Sequence, residues 1–127
     1  MTILRIAFIL PALADFLLAG LTLTRAIGVE DDSIVPRLQF SGGAFAWGIM
    51  LLFALARPVD RAWVLIPTAI VVACVVIAVG VGYLMGVVGG VSAASAVFMG
   101  AAIFSFGYLG LRFANLRASQ DQSTGAP

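Results

Sequence analysis

Histidine and lysine are absent from this sequence, cysteine occurs once, and charge of either sign is scarce. Each absence excludes chemistry. Without histidine there is no ordinary zinc site or His-ligated haem, and neither a Ser-His-Asp nor a Cys-His mechanism has its base. Cys74 alone closes no internal disulfide. No metal and no cofactor is therefore expected. Charged residues make up 10% of the chain and the net charge is +1, so no basic stripe exists for nucleic acid. All seven cations are arginine, which fits a GC-rich bacterial genome.

What fills the sequence instead is hydrocarbon. Of 127 residues, 62% are hydrophobic, and the mean hydropathy is +1.13. A small soluble domain buries only about two-thirds of the surface its chain exposes, too little to hide this much apolar side chain. The solvent implied is lipid. Charges then partition the chain. Ile6 to Thr24 holds one, Asp15; Leu38 to Ala56 holds none; Ala62 to Leu111 is free of charge for fifty residues. A spanning helix takes about 20 apolar residues, so the last block holds two. Gly86-Val87-Val88-Gly89-Gly90 is its strongest breaker cluster and marks the hairpin between them. The expectation is an all-α protein, a bundle of four transmembrane helices over about 3–24, 37–56, 62–86 and 91–112. Asp32 or Ser33 caps the second helix, with Pro36 in its first turn; Asp60 caps the third, which Pro67 kinks. Trp63 falls where an interfacial anchor belongs. The polar end, 113–127, is expected to be a disordered cytoplasmic tail.

Arginine placement sets the expected orientation. Arg5, Arg57, Arg61, Arg112 and Arg117 share one side; Arg25 and Arg37 share the other. Five against two puts both termini in the cytoplasm of a bacterial inner membrane. Ala12-Leu13-Ala14 resembles a signal-peptidase site, but the apolar run before it is shorter than the ~7–15 residues of such a signal, so the first helix is read as retained. The acidic loop Glu30-Asp31-Asp32 is read as a solvated connector, since it lacks the glycine-bearing calcium-loop pattern.

Asp15 is the residue that hydropathy does not explain. On a helical wheel Ile6, Leu10, Leu13, Leu17 and Leu21 form one stripe, the natural lipid face. Asp15 lies across from it, with Phe8, Pro11, Ala12, Ala19 and Thr22, and so turns toward the bundle. It sits about 13 Å below Thr24 at 1.5 Å per residue, near the middle of a hydrocarbon layer about 30 Å thick. An ionised carboxylate there costs about 2.5–3.5 kcal/mol on the lenient insertion scale. The expectation is a protonated acid hydrogen-bonded to Ser105, a backbone carbonyl or water. Depth counting gives its candidate cavity neighbours as Trp47, Ser105 and Tyr108, with Arg37 as the one cation that approaches from outside. Pro11 leaves the Ala7 carbonyl without a helical partner, and the resulting kink opens space beside the acid. Two roles stand open for Asp15: a hydrogen-bonding pin between helices, or a proton or ligand site.

Small residues recur at helical spacing: Ser41-Gly42-Gly43 and Gly48, Gly82 and Gly86, then Ser92, Ala96, Gly100, Gly107 and Gly110. They suit close helix packing, within one chain or between copies as a homodimer or larger membrane complex. Trp47 is deep rather than interfacial, and it fills the core or borders a ligand. Tyr108 and Arg112 read as interfacial anchors, or else as the wall of a polar cavity.

The run from Arg37 to Leu65, with Arg37, Gly42-Gly43, Gly48 and Arg57-Pro58, resembles small four-helix bacterial membrane proteins of the DoxX-like type. That resemblance implies a four-helix bundle and no particular activity. The chain is also similar to small multidrug resistance transporters in its size, its four helices and its acid in the first, Asp15. The reading that follows is a small membrane protein acting as an accessory or structural component with a lipidic ligand, without covalent chemistry of its own. The alternatives are a proton-coupled transporter or channel with Asp15 as carrier, and an enzyme acting on an isoprenoid-like lipid with Asp15 as general acid.

Overall fold

The computed structural model describes residues 2–27 and 34–124, with side chains described through residue 120. Four helices account for nearly all of them: α1 Thr2–Ala26, α2 Ile34–Leu55, α3 Leu65–Leu84 and α4 Gly90–Thr124. A single 3-10 turn, Ala62–Val64, leads into α3. Each helix is long and apolar enough to cross a bilayer, so the chain is an all-α, four-helix transmembrane bundle. Asp32, Ser33 and the acidic loop lie outside the described residues.

Three expected details are corrected. Asp60 caps nothing. Neither the 3-10 turn nor α3 has a side-chain cap, because the chain turns tightly on its own backbone there. Arg61 N–H donates to the Arg57 carbonyl, and Val64 N–H donates to that of Arg61. Pro67 is the third residue of α3. In the first turn a missing N–H interrupts little of the helical ladder. The third correction is α4, which continues to Thr124 instead of giving way to a disordered tail after residue 112. The segment after Arg112 contains neither Gly nor Pro up to Thr124. Ala114 is buried in the core, and the Arg117 guanidinium stacks over the Phe113 ring at 5.2 Å.

The hairpin behaves as its glycines require. Gly86 adopts φ +74° immediately after α3. Its N–H donates to the Tyr83 carbonyl, and Val87 N–H donates to the Gly82 carbonyl, the paired bonds that end a helix on a left-handed residue. Arginines close two other ends. Arg61 Nη1 donates to the Phe53 carbonyl at 2.6 Å in the last turn of α2. Arg37 Nη1 donates to the Arg25 carbonyl at 3.4 Å in the last turn of α1. Both place a cation at a helix's negative end.

The helices are ordered α2, α1, α4, α3. α1 packs along both α2 and α4, α3 packs on α4, and α1 barely meets α3. Packing is uneven along the bundle axis. The buried cluster of Leu4, Ala7, Phe8, Leu51, Ala54, Ala62, Leu65 and Ala114 gathers at the end that carries the start of α1 and the turn before α3. Beyond Thr68, α3 has no fully buried residue. The tight end owes its closeness to small residues. A Cβ on Gly110 would lie 2.9 Å from Ala7 Cβ; nearer the middle of the bundle, one on Gly48 would lie 3.1 Å from the Phe16 ring. Phe16 in turn meets Phe45 edge to face at 5.4 Å. Toward the other end the helices part.

Candidate functional site

Where α1 and α3 part, α4 forms the floor of a groove between them. The groove encloses about 270 Å³. Ala14, Asp15 and Leu18 line it from α1, Val72, Val75 and Val76 from α3, and Ser95, Met99, Gly100 and Ile103 from α4. Helical spacing explains this face. Val72 and Val76, like Ala96 and Gly100, stand one turn apart. Gly100 brings α4 against α3, since a Cβ there would lie 2.6 Å from Val76 Cγ2. Leu17, Leu21 and Val71 form an exposed rim, which faces acyl chains in a membrane.

Asp15 is half-buried at this groove, and it is the only ionisable side chain in its lining. Among the described residues its carboxylate has no hydrogen-bond or ion-pair partner. The helical wheel therefore holds. Leu13 and Leu17 are about 60% exposed on the lipid stripe, whereas Phe8, Ala12 and Ala19 are buried on the opposite one. α1 runs unbroken as helix through Pro11.

The expected neighbours of Asp15 are elsewhere. Ser105 is exposed, and its hydroxyl donates to the Ala101 carbonyl of its own helix at 2.8 Å. Tyr108 is 64% exposed and belongs to a second cavity nearer the tight end. Arg37 stays at the end of α1, held on the Arg25 carbonyl. Trp47 sits in α2, away from the groove. Its indole N–H donates to Thr68 Oγ at 3.3 Å, which links α2 to α3 where their backbones stay apart. The reason is the face: the α4 residues at the groove are Ser95, Ala96, Met99, Gly100 and Ile103, and Ser105, two residues beyond Ile103, is turned to the exposed side of the helix.

One polar residue was missed, Thr68, and Ser41 was read only as a small packing residue. Thr68 is buried, donates to the Val64 carbonyl at 2.8 Å and accepts from Trp47. Its signal was its isolation as the lone hydroxyl between Ala62 and Gly82. Ser41 is buried and donates to the Ala19 carbonyl at 2.8 Å, pinning α2 to α1. Interhelical hydrogen-bonding pins are made by Ser41 and by the Trp47–Thr68 pair. Gly42, Gly43 and Gly107 have open space where a Cβ would go, so close helix contact does not require glycine at these positions. The described residues contain no cluster of groups suited to a metal ion.

No family model, curated protein or solved structure matches the chain.

Proposed function

We propose that the chain is an accessory protein of the bacterial inner membrane, both termini cytoplasmic, which holds a lipidic molecule in the α1–α3 groove. One observation carries this reading: a mainly aliphatic groove rimmed by lipid-facing residues, with the Asp15 carboxyl and the Ser95 hydroxyl as its polar side chains. Binding sites for small apolar molecules have this make-up, mostly hydrocarbon with a few polar groups that fix orientation. Membership of the DoxX-like group and assembly into a homodimer or larger complex belong to the same proposal. The motif from Arg37 to Arg57-Pro58 supports the first, and the unpacked Gly42-Gly43 face is compatible with the second.

Photolabelling tests it. The protein in lipid nanodiscs is irradiated with a long-chain alkyl diazirine, and adducts are mapped by mass spectrometry. The expected adducts concentrate on Val72, Met99 and Ile103, in excess over the lipid-stripe residue Leu13, and Gly100→Leu removes that excess. Uniform labelling of all lipid-facing residues overturns the proposal.

A second reading rests on the unpartnered state of Asp15 at the groove: the same carboxyl carries a proton for a transported molecule. It requires Asp15→Asn to fold normally and lose transport, whereas simple ligand holding requires only weaker binding.

A further inference from the structure

Depth decides what the groove can hold. α1 and α4 run antiparallel, and Gly110 meets Ala7. Asp15, eight residues past Ala7, therefore stands level with Ile103 to within about one residue's rise. The two form the tight-end edge of the groove. Ala14 and Ile103 are buried at this edge, whereas Leu21 and Ser95 at the far end are exposed, so the groove opens toward the α3–α4 hairpin. Ser95 lies eight residues before Ile103, about 12 Å along the α4 axis at 1.5 Å per residue. Asp15 and Ser95 are the polar side chains of the lining, one at each end, and the residues between them are apolar.

We propose that the ligand is a single-chain amphiphile with two polar groups, its head at Ser95 and a hydroxyl part-way down its chain at Asp15. This inference rests on the groove being the ligand site. An amphiphile enters from the open end with its head outermost, so its tail is what reaches Asp15. A plain alkyl tail brings only hydrocarbon there and leaves a half-buried carboxyl unpaired, which is costly. A carboxyl accepts a hydrogen bond from a hydroxyl and, when protonated, also donates one, so a hydroxyl satisfies it in either state. A neutral hydroxyl also reaches this depth at less cost than a charged group. Ser95 Oγ donates to the Ser92 carbonyl at 2.9 Å and keeps lone pairs that accept from the head. An extended chain advances ~1.1–1.2 Å per bond, as a backbone does, so the two polar groups stand roughly ten bonds apart. The groove is at the small end of ligand pockets, which hold ~300–1,000 Å³, so it suits one chain.

Positional isomers of dodecanediol test this in nanodiscs, as competitors of the alkyl diazirine at Val72 and Met99. One hydroxyl stays at carbon 1 and the other moves along the chain, so chain length is constant. All isomers are compared at equal mole fraction in the bilayer, so the competition reads transfer from lipid to groove. It is expected to peak near the 1,10-isomer, about ten bonds between the oxygens. The gain over the 1,2-isomer is expected to be about three- to twentyfold, the range of one hydrogen bond made within a membrane. Asp15→Leu flattens the profile, and Ser95→Ala weakens every isomer without moving the peak; gel filtration in detergent verifies that both variants remain folded. A flat profile in the wild type overturns the second polar group while leaving the groove as a ligand site. A peak that survives in folded Asp15→Leu overturns Asp15 as its partner, and unchanged competition in Ser95→Ala overturns Ser95 as the contact of the head. Failure of every diol where dodecanol competes overturns the ligand class. Absence of groove labelling itself removes the underlying site.

Discussion

Glycine carries much of the packing at the residue scale, and its neighbours separate the essential positions from the incidental ones. A methyl group on Gly110 would meet Ala7 Cβ at 2.9 Å, Leu4 Cδ1 at 3.2 Å and Leu65 Cδ1 at 3.4 Å. The alanine Cβ is fixed to its own backbone, so relief requires α1 and α4 to separate. Gly110→Ala is expected to destabilise by about 1–3 kcal/mol, the usual cost of overpacking. Gly107, one turn earlier, has nothing within 4 Å of that position. Gly107→Ala gains helix propensity at no steric cost and is expected to be neutral or stabilising by up to about 1 kcal/mol. Unfolding of the two variants in detergent, followed by circular dichroism, measures the contrast. Both glycines fell on the same small-residue pattern in the sequence, and only the helix order α2, α1, α4, α3 tells them apart. Asp15 shows the same boundary. Its inward direction followed from the 3.6-residue period, which is local. Its neighbours depend on which helices touch and at what stagger, which is not. Ser105 was therefore assigned to it by depth, although it stands on the exposed face of α4, outside the groove.

Helices themselves were legible because charge-free length is a direct measure of a bilayer. All four occur, and the first three begin and end within a few residues of where charge and breakers place them. Their ends were less legible, since a terminus is set by whichever group reaches the free carbonyls or N–H groups. Arg61 and Arg37 take those roles at the ends of α2 and α1, and Asp60 takes none. The α3–α4 hairpin is the exception, because only glycine suits its geometry. Gly86 stands at φ +74°, where an L side chain is strained by ~1–2 kcal/mol. Gly86→Ala is thus expected to lower stability by about 1 kcal/mol, with the Tyr83 and Gly82 carbonyl bonds weakened. The same detergent unfolding assay checks this. The absence of any loss, as expected for Gly107→Ala, would show that the turn relaxes to another conformation. α4 outran its expected end for a matching reason: no Gly or Pro stops it, and Ala114 still has core to join.

For the whole molecule, the arrangement of arginine and the arrangement of packing coincide. Arg5, Arg57, Arg61, Arg112 and Arg117 lie at or beyond the end where Leu4, Leu51, Ala62 and Ala114 close the core. Arg25 and Arg37 lie at the end where α1 and α3 part. By the positive-inside rule the tight, arginine-rich end is expected on the cytoplasmic side of a membrane, with the groove at Asp15 toward the opposite leaflet. Four crossings bring Thr2 and Gln120 to the same side, and that parity makes the orientation testable with two positions. In a Cys74→Ala background, Ser119→Cys reports the α4 end and Gly89→Cys reports the hairpin; Gly89 is exposed with open space around it, and Ser119 lies beyond the core on an exposed face. A membrane-impermeant maleimide added to intact cells is expected to label Gly89→Cys and to spare Ser119→Cys, with the pattern completed on inverted vesicles, where Ser119→Cys alone reacts. The reverse pattern would place the termini outside. Labelling of each position from both sides would show that an arginine excess of five against two is too weak to fix one orientation, and the groove would then open toward both leaflets in a mixed population.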